Sequence, residues 1–345
     1  MEYRQLGKTD IKVSAICLGT MTYGEQNTES EAHDQMSYAL EQGLNFFDTA
    51  ELYAVPSRKE TQGLTEKYIG TWFKKTGNRD KVILGTKVTG PSPNLSHISE
   101  NLGFSRERIL EAVELSLNRL QTDYIDLYQL HWPERKTNYF GVRGYTSHDR
   151  KWEDNFEEAL DTLNELKKQG KIRHYGLSNE TPWGVMRNLN ITRSKGYEDF
   201  VSIQNCYNLL NRLFEVGLSE MAIRESCGLL AYSPMAFGLL SGKYHTGQDR
   251  SDARLNKFSQ MSRYNSQQCH EATRRYLEIA EANHLTLAQM SLAFINQMPF
   301  VTSNIIGATS MKQLKENISS IYVKLSKGVL KEIEEVHNAI PNPAP

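Results

Sequence analysis

Eight short apolar runs, each separated from the next by a longer segment, constrain the fold of this chain more than any other feature. Most of the intervening segments carry apolar residues at every third or fourth position, as a helix with one covered side does. Strands that alternate with helices indicate parallel β–α–β units, and eight such units favour a closed barrel over an open sheet. The runs are AICLG, LNFFDT, KVILGTK, YIDLYQLH, IRHYGLSN, FVSIQN, GLLAYS and VTSNIIG. We therefore expect an α/β fold, a (β/α)8 TIM barrel, with residues 1–345 forming a single domain.

Four segments fall outside this alternation. The opening YRQLGKTDIKVS places Gly7 between two short runs and predicts a β-hairpin ahead of the first barrel strand. Long connections follow the second, fourth and seventh strands and should lie on the C-terminal face: YAVPSRKETQG, residues 133–153 and GLLSGKYHTGQDRSDARLNKFSQMSRY. The second of these, with Tyr139, Phe140 and Tyr145, is open to three interpretations: a lid, a partner surface or a mobile segment.

Composition and charge favour small-molecule chemistry. The chain has 40 basic and 41 acidic residues, a formal charge of −1, so it has no broad attraction to nucleic acid or to an anionic membrane. The cysteines, Cys17, Cys206, Cys227 and Cys269, show no CxxC spacing, which favours reduced thiols in a cytoplasm. The N-terminus lacks the apolar region of a signal peptide, and no run approaches about 18 apolar residues. We expect a soluble, cytoplasmic protein; its sequence does not indicate an oligomeric state.

Four polar residues lie where a barrel of this kind places its chemistry. Asp48, Lys87 and His131 each fall at the end of an apolar run, and Tyr53 follows Asp48 by five residues. The C-terminal ends of the strands carry the active sites of barrel enzymes. Taken singly, each residue is more often structural: a helix cap, a rim aromatic, a solvated strand end or a satisfied imidazole. Their occurrence together at successive strand ends instead indicates a proton-donating site for carbonyl reduction.

Each of the four has a chemical part in that reaction. Tyr53 is the candidate acid; because a free phenol has a pKa near about 10, a nearby Lys87 ammonium is expected to lower the pKa of Tyr53. Asp48 would neutralise and orient Lys87, since a lone buried ammonium is costly. His131 would donate a hydrogen bond to the carbonyl oxygen of the substrate.

The motifs that carry these residues resemble those of the aldo-keto reductases. Asp48 and Tyr53 stand in FFDTAELY, Lys87 in LGTK and His131 in LYQLHWP, in the order of that family's catalytic tetrad. The resemblance runs from RQLGKTDIKVSAICLGTMTYG to ATSMKQLKEN, nearly the whole chain. It implies a barrel whose bottom is capped by the hairpin, and reduction of a small-molecule aldehyde or ketone with NADPH as cofactor.

The same resemblance assigns a cofactor site. No G-x-G-x-x-G follows a strand, so the dinucleotide would not be held as in a doubly wound sheet, and a barrel instead offers the loops after strands seven and eight. Tyr232 would stack on the nicotinamide, and Lys243 would meet phosphate charge. The helix that begins within IIGATSMKQLKEN would hold the adenosine and its 2′-phosphate. The remaining implied contacts are Thr20, Met21, Ser178, Asn179, Gln204, Ser233, Pro234, Met235, Gly307, Glu316 and Asn317.

The adenosine end departs from the family pattern. Thr309 and Gln313, also implied cofactor contacts, occupy positions where an Arg or Lys is common, so direct charge on a 2′-phosphate is weaker. Arg254, in the seventh loop, and Lys315 are candidates to compensate. We expect NADPH to be preferred over NADH.

The substrate pocket is expected to be formed by Tyr23, Trp132 and parts of the long loops. Two alternative functions stay open beside the reductase. One is a nicotinamide-loaded regulatory or binding subunit with slow turnover, as the related potassium-channel β-subunits suggest. The other is a metal-dependent barrel hydrolase, although the histidines show no HxH or HxxxH spacing, so no metal site is predicted.

Overall fold

Parallel strands close into a barrel in the computed structural model of the protein. The structure describes residues 1–142, 144–246, 254–257 and 259–345, and at residues 254, 257 and 259–261 it describes the backbone alone. The described residues form the strands β1 (Tyr3–Gln5), β2 (Lys12–Ser14), β3 (Ile16–Gly19), β4 (Phe46–Asp48), β5 (Ile83–Val88), β6 (Ile125–Leu130), β7 (Ile172–Ser178), β8 (Ser202–Cys206), β9 (Gly228–Tyr232) and β10 (Val301–Ile306). Strands β3 to β10 pair in chain order, and β10 pairs in parallel with β3, so the sheet has no open edge. The predicted (β/α)8 barrel is confirmed.

Helices follow the barrel strands along the chain. They are α1 (Glu29–Glu41), α2 (Leu64–Thr76), α3 (Arg106–Leu120), α4 (Phe156–Lys168), α5 (Pro182–Lys195), α6 (Phe214–Arg224), α7 (Arg254–Lys257), α8 (Gln267–Ala282), α9 (Leu287–Asn296), α10 (Met311–Ser319) and α11 (Lys327–Ala339). Serine or threonine caps begin most of the long ones; Thr28 and Glu31, for example, form a reciprocal capping box on α1. None of the helices in the described ranges combines the length and the apolar character needed to cross a bilayer.

The apolar face of α3 shows how the helices pack on the barrel. Val113, Leu117 and Leu120 are buried, and Leu110 is partly buried against the same core. These residues recur at three or four positions and so lie on one side of a helix of 3.6 residues per turn. The predicted orientation of this helix is confirmed.

The N-terminal hairpin closes one end of the barrel. Strands β1 and β2 pair antiparallel, as predicted, with Tyr3 opposite Ser14. Leu6 and Val13 belong to a separate apolar cluster with residues of the barrel interior: Cys17, Phe46, Leu127, Val201, Leu230 and Ile305. Gly7 has a φ of +59°, and a Cβ there would lie 2.8 Å from the Cα of Val201. Only glycine therefore lets the hairpin turn approach the barrel so closely.

Strand β6 is buried at every position, because a parallel barrel strand is covered by side chains inside and by helices outside. Its polar residues must consequently find partners within the protein. Asp126 accepts hydrogen bonds from Arg79 at 2.7 Å and from Arg173 at 2.9 Å. Gln129, two residues before His131, also has its hydrogen-bond partners inside the protein, and these partners belong to the candidate site.

The 133–153 connection is tied to the end of β7. Arg135 makes a two-pronged ion pair with the buried Glu180, with both N to O distances 2.6 Å. The chain's NPAP end is packed as well: Ala344 N donates to Leu210 O at 3.1 Å, and Arg263 Nε donates to Pro345 O at 3.0 Å. Both segments thus lie against the C-terminal half of the barrel.

Candidate active site

A cavity of about 590 Å3 opens at the C-terminal ends of the barrel strands. Its volume lies within the range of roughly 300 to 1,000 Å3 that small-molecule sites occupy. Thr20 after β3, Asp48 at the end of β4, His131 after β6 and Gly307 after β10 all contribute to its wall. The parallel strands therefore direct residues that are far apart in sequence to one opening.

Asp48 in the cavity wall and Lys87 behind it form a buried ion pair. Lys87 Nζ donates to Asp48 Oδ2 at 2.7 Å and to the carbonyl oxygen of Thr49 at 2.6 Å, and Lys87 is fully buried. Burial alone lowers the pKa of Lys87, but the charges of Asp48 and Tyr53 and the hydrogen bond that Lys87 donates to Asp48 outweigh it, so the pKa of Lys87 is raised. Lys87 is therefore a cation next to the cavity at neutral pH.

Tyr53 lies in the loop between β4 and α2, with its ring close to Lys87 and His131. Lys87 Nζ is 5.1 Å from the ring centre, and the His131 ring meets it edge-on with centroids 6.0 Å apart. Burial raises the pKa of Tyr53, Lys87 lowers it and Asp48 adds to the rise, leaving the pKa above its ordinary value of 10.0. Lys87 therefore lowers the pKa of Tyr53 as expected, but burial, which the sequence did not show, raises it by more.

His131 lines the cavity and is neutral. Burial lowers its pKa well below 6.5, and the nearby Lys87 charge lowers it further. Its Nδ1 atom is buried with no hydrogen-bond partner among the described residues. Its backbone is fixed on both sides, by Val88 O at 3.1 Å and by Asn179 Nδ2 at 2.9 Å. A neutral imidazole can donate one hydrogen bond to a ligand without adding a charge.

The candidate nicotinamide contacts form one hydrogen-bonded group. Tyr232 Oη donates to Asn179 Oδ1 at 2.6 Å, and Asn179 Nδ2 donates to Ser178 Oγ at 3.0 Å. Ser178 Oγ in turn donates to the carbonyl oxygen of Gln204 at 2.8 Å. All four side chains line the cavity. The ends of β7, β8 and β9 are thereby held together on one wall.

The loop after β9 forms the next part of the wall. Ser233, Pro234 and Met235 line the cavity, and so does Lys243. Lys243 Nζ lies 5.4 Å from the ring centre of Tyr244. Basic charge on a cavity wall suits the phosphates of a dinucleotide.

The N-terminal end of α10 borders the far side of the same cavity. Thr309, Gln313, Glu316 and Asn317 line it, and Gln313 Oε1 accepts from Thr309 N at 2.9 Å. A Cβ placed on Gly307 would meet no protein atom within 4 Å, so the backbone there faces open space that a ligand can use. With the helix N-terminus and Lys243, these residues fit the phosphates of an extended dinucleotide.

Two expected contacts need correction and one lies outside the described residues. Tyr23 does not line the cavity: it is fully buried beside α1, where its hydroxyl donates to Gln35 Oε1 at 3.1 Å. Lys315 Nζ lies 5.3 Å from the ring centre of Tyr38 and also does not line the cavity. The side chain of Arg254 is outside the described part of the chain.

Arg263 and Gln129, in or behind the wall, were missed from the sequence, and Phe140 was named there only as part of the 133–153 connection. Phe140 lines the cavity and packs edge-on against Trp132, with ring centroids 5.7 Å apart, which agrees with a pocket role for Trp132. Arg263 lines the cavity beside Tyr232, and no sequence pattern marked it. Gln129 was signalled by its polarity within the buried strand segment IDLYQL, which also holds Asp126. In the described ranges, no three His, Cys, Asp or Glu side chains lie together as metal ligands would.

Comparison with known proteins gives a family match and full-length relatives. The model of the Aldo/keto reductase family matches residues 15–338. Protein tas of Escherichia coli K12 is 49% identical over 346 residues, which cover 100% of both chains. Norsolorinic acid reductase B of Dothistroma septosporum is 27% identical over 99% of this chain and 82% of its own. A probable voltage-gated potassium channel subunit beta of Arabidopsis thaliana is 30% identical over 99% of this chain and 98% of its own.

Proposed function

The chain belongs to the aldo/keto reductase family, a family of carbonyl-reducing oxidoreductases, and we propose that it reduces aldehydes or ketones to alcohols with NADPH, with Tyr53 as the proton donor. The observation that carries the proposal is the group formed by the buried Asp48–Lys87 pair and the rings of Tyr53 and His131 at the cavity. A bound NADPH supplies the hydride. The protein supplies the proton and the geometry.

The raised pKa of Tyr53 suits a proton donor. Its phenol stays protonated at neutral pH, and it is still more acidic than the alcohol that carbonyl reduction produces. Lys87 stabilises the phenolate once the proton has left, and Asp48 keeps the ammonium directed at the site. Neutral His131 donates to the carbonyl oxygen and so polarises the bond under attack. In this proposal Tyr53 donates the proton, and Lys87 stabilises the negative charge that remains on Tyr53.

The test compares Tyr53→Phe with a matched control, Tyr23→Phe, which also removes one hydroxyl from a buried ring but outside the cavity. NADPH oxidation is followed with aldehydes, ketones and quinones. Tyr53→Phe should lower kcat by about 10² to 10⁴-fold, the usual contribution of a general acid, with the Kd for NADPH unchanged. Tyr23→Phe should retain turnover. Wild-type turnover by Tyr53→Phe would refute the acid role.

The preference for NADPH over NADH rests on Lys243 and on the N-terminal end of α10, both on the cavity wall. The 2′-phosphate of NADPH carries charge that either could meet. Dissociation constants for the two cofactors, measured by fluorescence quenching, test this preference. A tighter complex with NADH would refute it.

A second candidate function is a nicotinamide-loaded regulatory subunit with slow turnover. It is favoured by the similarity to the Arabidopsis protein named as a channel subunit. Tight NADPH binding without turnover on any carbonyl class would support this function against the reductase. Turnover on one class would favour the reductase.

A further inference from the structure

Gln129 lies behind the cavity wall between two residues of the candidate site. It is fully buried in β6 and is not among the residues that line the cavity. Glycines on the neighbouring strands leave room for it: a Cβ on Gly85 would be 3.4 Å from Gln129 Nε2, and a Cβ on Gly176 would be 3.2 Å from Gln129 Cγ. The barrel interior thus holds a long polar side chain. Unlike an aliphatic side chain of similar size, it needs hydrogen-bond partners there.

The side chains of Asp48, Gln129 and Gln204 form a closed triangle of hydrogen bonds. Gln204 Nε2 donates to Asp48 Oδ1 at 2.8 Å and to Gln129 Oε1 at 3.1 Å. Gln129 Nε2 donates to the same Asp48 Oδ1 at 3.2 Å. The other carboxylate oxygen, Oδ2, accepts from Lys87. One triangle therefore connects the candidate nicotinamide contact Gln204 with the ion pair that supports Tyr53.

The chemistry of these groups fixes which way each amide faces. A carboxylate paired with Lys87 can only accept hydrogen bonds, so both glutamines must turn their NH2 groups toward Asp48. Gln204 then uses one hydrogen on Asp48 and the other on Gln129, and both of its donors are occupied. Since Gln204 lines the cavity, its carbonyl oxygen is the polar atom left to offer a ligand there.

We propose that Gln129 is a positioning residue that fixes the Gln204 amide with its oxygen toward the cavity, where it accepts from the carboxamide NH2 of the nicotinamide. This inference rests on the proposed function. Without Gln129, Gln204 would keep a single restraint, to Asp48, and its amide could tilt. Asp48 would also lose a donor on Oδ1. Gln129 contacts neither the cavity nor the reacting atoms, so its effect passes through Gln204 and Asp48.

Orientation of the carboxamide has a measurable signature. A carboxamide held through its NH2 keeps the ring from turning, and the ring then presents one of its two C4 hydrogens to the substrate. The 3-acetylpyridine analogue of NADP⁺ has a methyl ketone in place of the amide and offers no N–H. Gln204 Oε1 would then be left without a donor in a dry site, a penalty that corresponds to at least about fivefold in Kd.

The first measurement uses the wild-type protein. Kd values for NADP⁺ and for its 3-acetylpyridine analogue are obtained by fluorescence quenching. We expect the analogue to bind about fivefold or more weakly. Equal affinity for the two would overturn the assigned direction of the Gln204 amide. Absence of binding by both would overturn the proposed function, and this inference with it.

The second measurement compares Gln129→Met with Gln35→Met, which removes another buried amide, that of Gln35 on α1, away from the cavity. In Gln129→Met the preference for NADP⁺ over the analogue should shrink at least about threefold, and deuterium transfer from C4-labelled NADPH should lose facial selectivity. Gln35→Met should keep both properties. If Gln129→Met does not fold, Gln129→Asn, which retains an amide too short to close the triangle, is measured in its place. An unchanged preference in the folded variant would overturn the positioning role.

Discussion

Tyr53 shows how the interior of a barrel changes the titration of a side chain. From the sequence, only the neighbouring charge of Lys87 could be taken into account, and that charge does lower the pKa of Tyr53. Burial acts in the opposite direction and is larger, but its size depends on the tertiary packing around the ring. The grouping of Asp48, Lys87 and His131 was thus predictable from strand ends, whereas the direction of the pKa shift of Tyr53 was not.

His131 gives a test of stability at this scale. Its pKa is lowered in the folded protein and returns to about 6.5 on unfolding, so below about pH 6.5 the unfolded chain binds more protons and stability falls. His131→Gln should therefore show a shallower loss of unfolding free energy as the pH is lowered from about 7 to about 5. Urea denaturation across this range measures it, with the exposed His148→Gln as control. Identical pH dependence of stability in wild type and His131→Gln would contradict a lowered pKa of His131 in the folded protein.

Among the elements, the connection after β6 contributes one aromatic ring to the cavity. Arg135 anchors the segment to Glu180, and Phe140 packs on Trp132 and lines the cavity. No periodicity distinguishes Phe140 from Tyr139 or Tyr145 in such a segment. Which ring reaches the barrel depends on tertiary contacts, and the three interpretations of the segment stay predictions.

Phe140→Ala should raise KM for the carbonyl substrate roughly twofold to tenfold with little change in kcat, because an edge-on aromatic pair is worth about 0.5 to 1.5 kcal/mol. Steady-state kinetics with NADPH saturating measures the effect. Tyr145→Ala, an exposed ring of the same segment that does not line the cavity, should leave KM unchanged. A fall in kcat alone would place Phe140 outside substrate binding.

The N-terminal end of α10 allows a second prediction for an element. Gln313 lines the cavity, and its Oε1 accepts a hydrogen bond from Thr309 N. The variant Gln313→Arg would place a cation where a 2′-phosphate is expected. We expect the ratio of NADH to NADPH dissociation constants to rise about threefold to tenfold. Gln169→Arg is the control: Gln169 is an exposed amide at the C-terminal end of α4, where it donates to Glu165, and it does not line the cavity. Equal changes for both cofactors in Gln313→Arg would contradict a 2′-phosphate site here.

For the whole molecule, the packing of the N-terminal hairpin against the barrel depends on the close approach of Gly7 to Val201. Gly7→Ala adds a Cβ at 2.8 Å from Val201 and forces a left-handed conformation on alanine. Gly77→Ala is a matched control, with a φ of +67° and no atom within 4 Å. The control should lose about 1 to 2 kcal/mol of unfolding free energy from conformation alone, and Gly7→Ala a further 1 to 3 kcal/mol or so from the clash. Chemical denaturation measures both losses. Equal losses would mean that the hairpin shifts to accommodate the added Cβ with no loss of unfolding free energy.

The sequence alone determined the barrel and the placement of its polar strand ends. Alternating strands and helices are a local pattern, and parallel strands that close a barrel must direct Asp48, Lys87 and His131 to one end. The tertiary structure decided the rest: that Tyr23 turns into the core, that Arg263 and Phe140 reach the cavity, and which way Gln204 faces. These features depend on contacts between residues distant in the chain, such as Asp48 with Gln204, and no local pattern encodes such a contact.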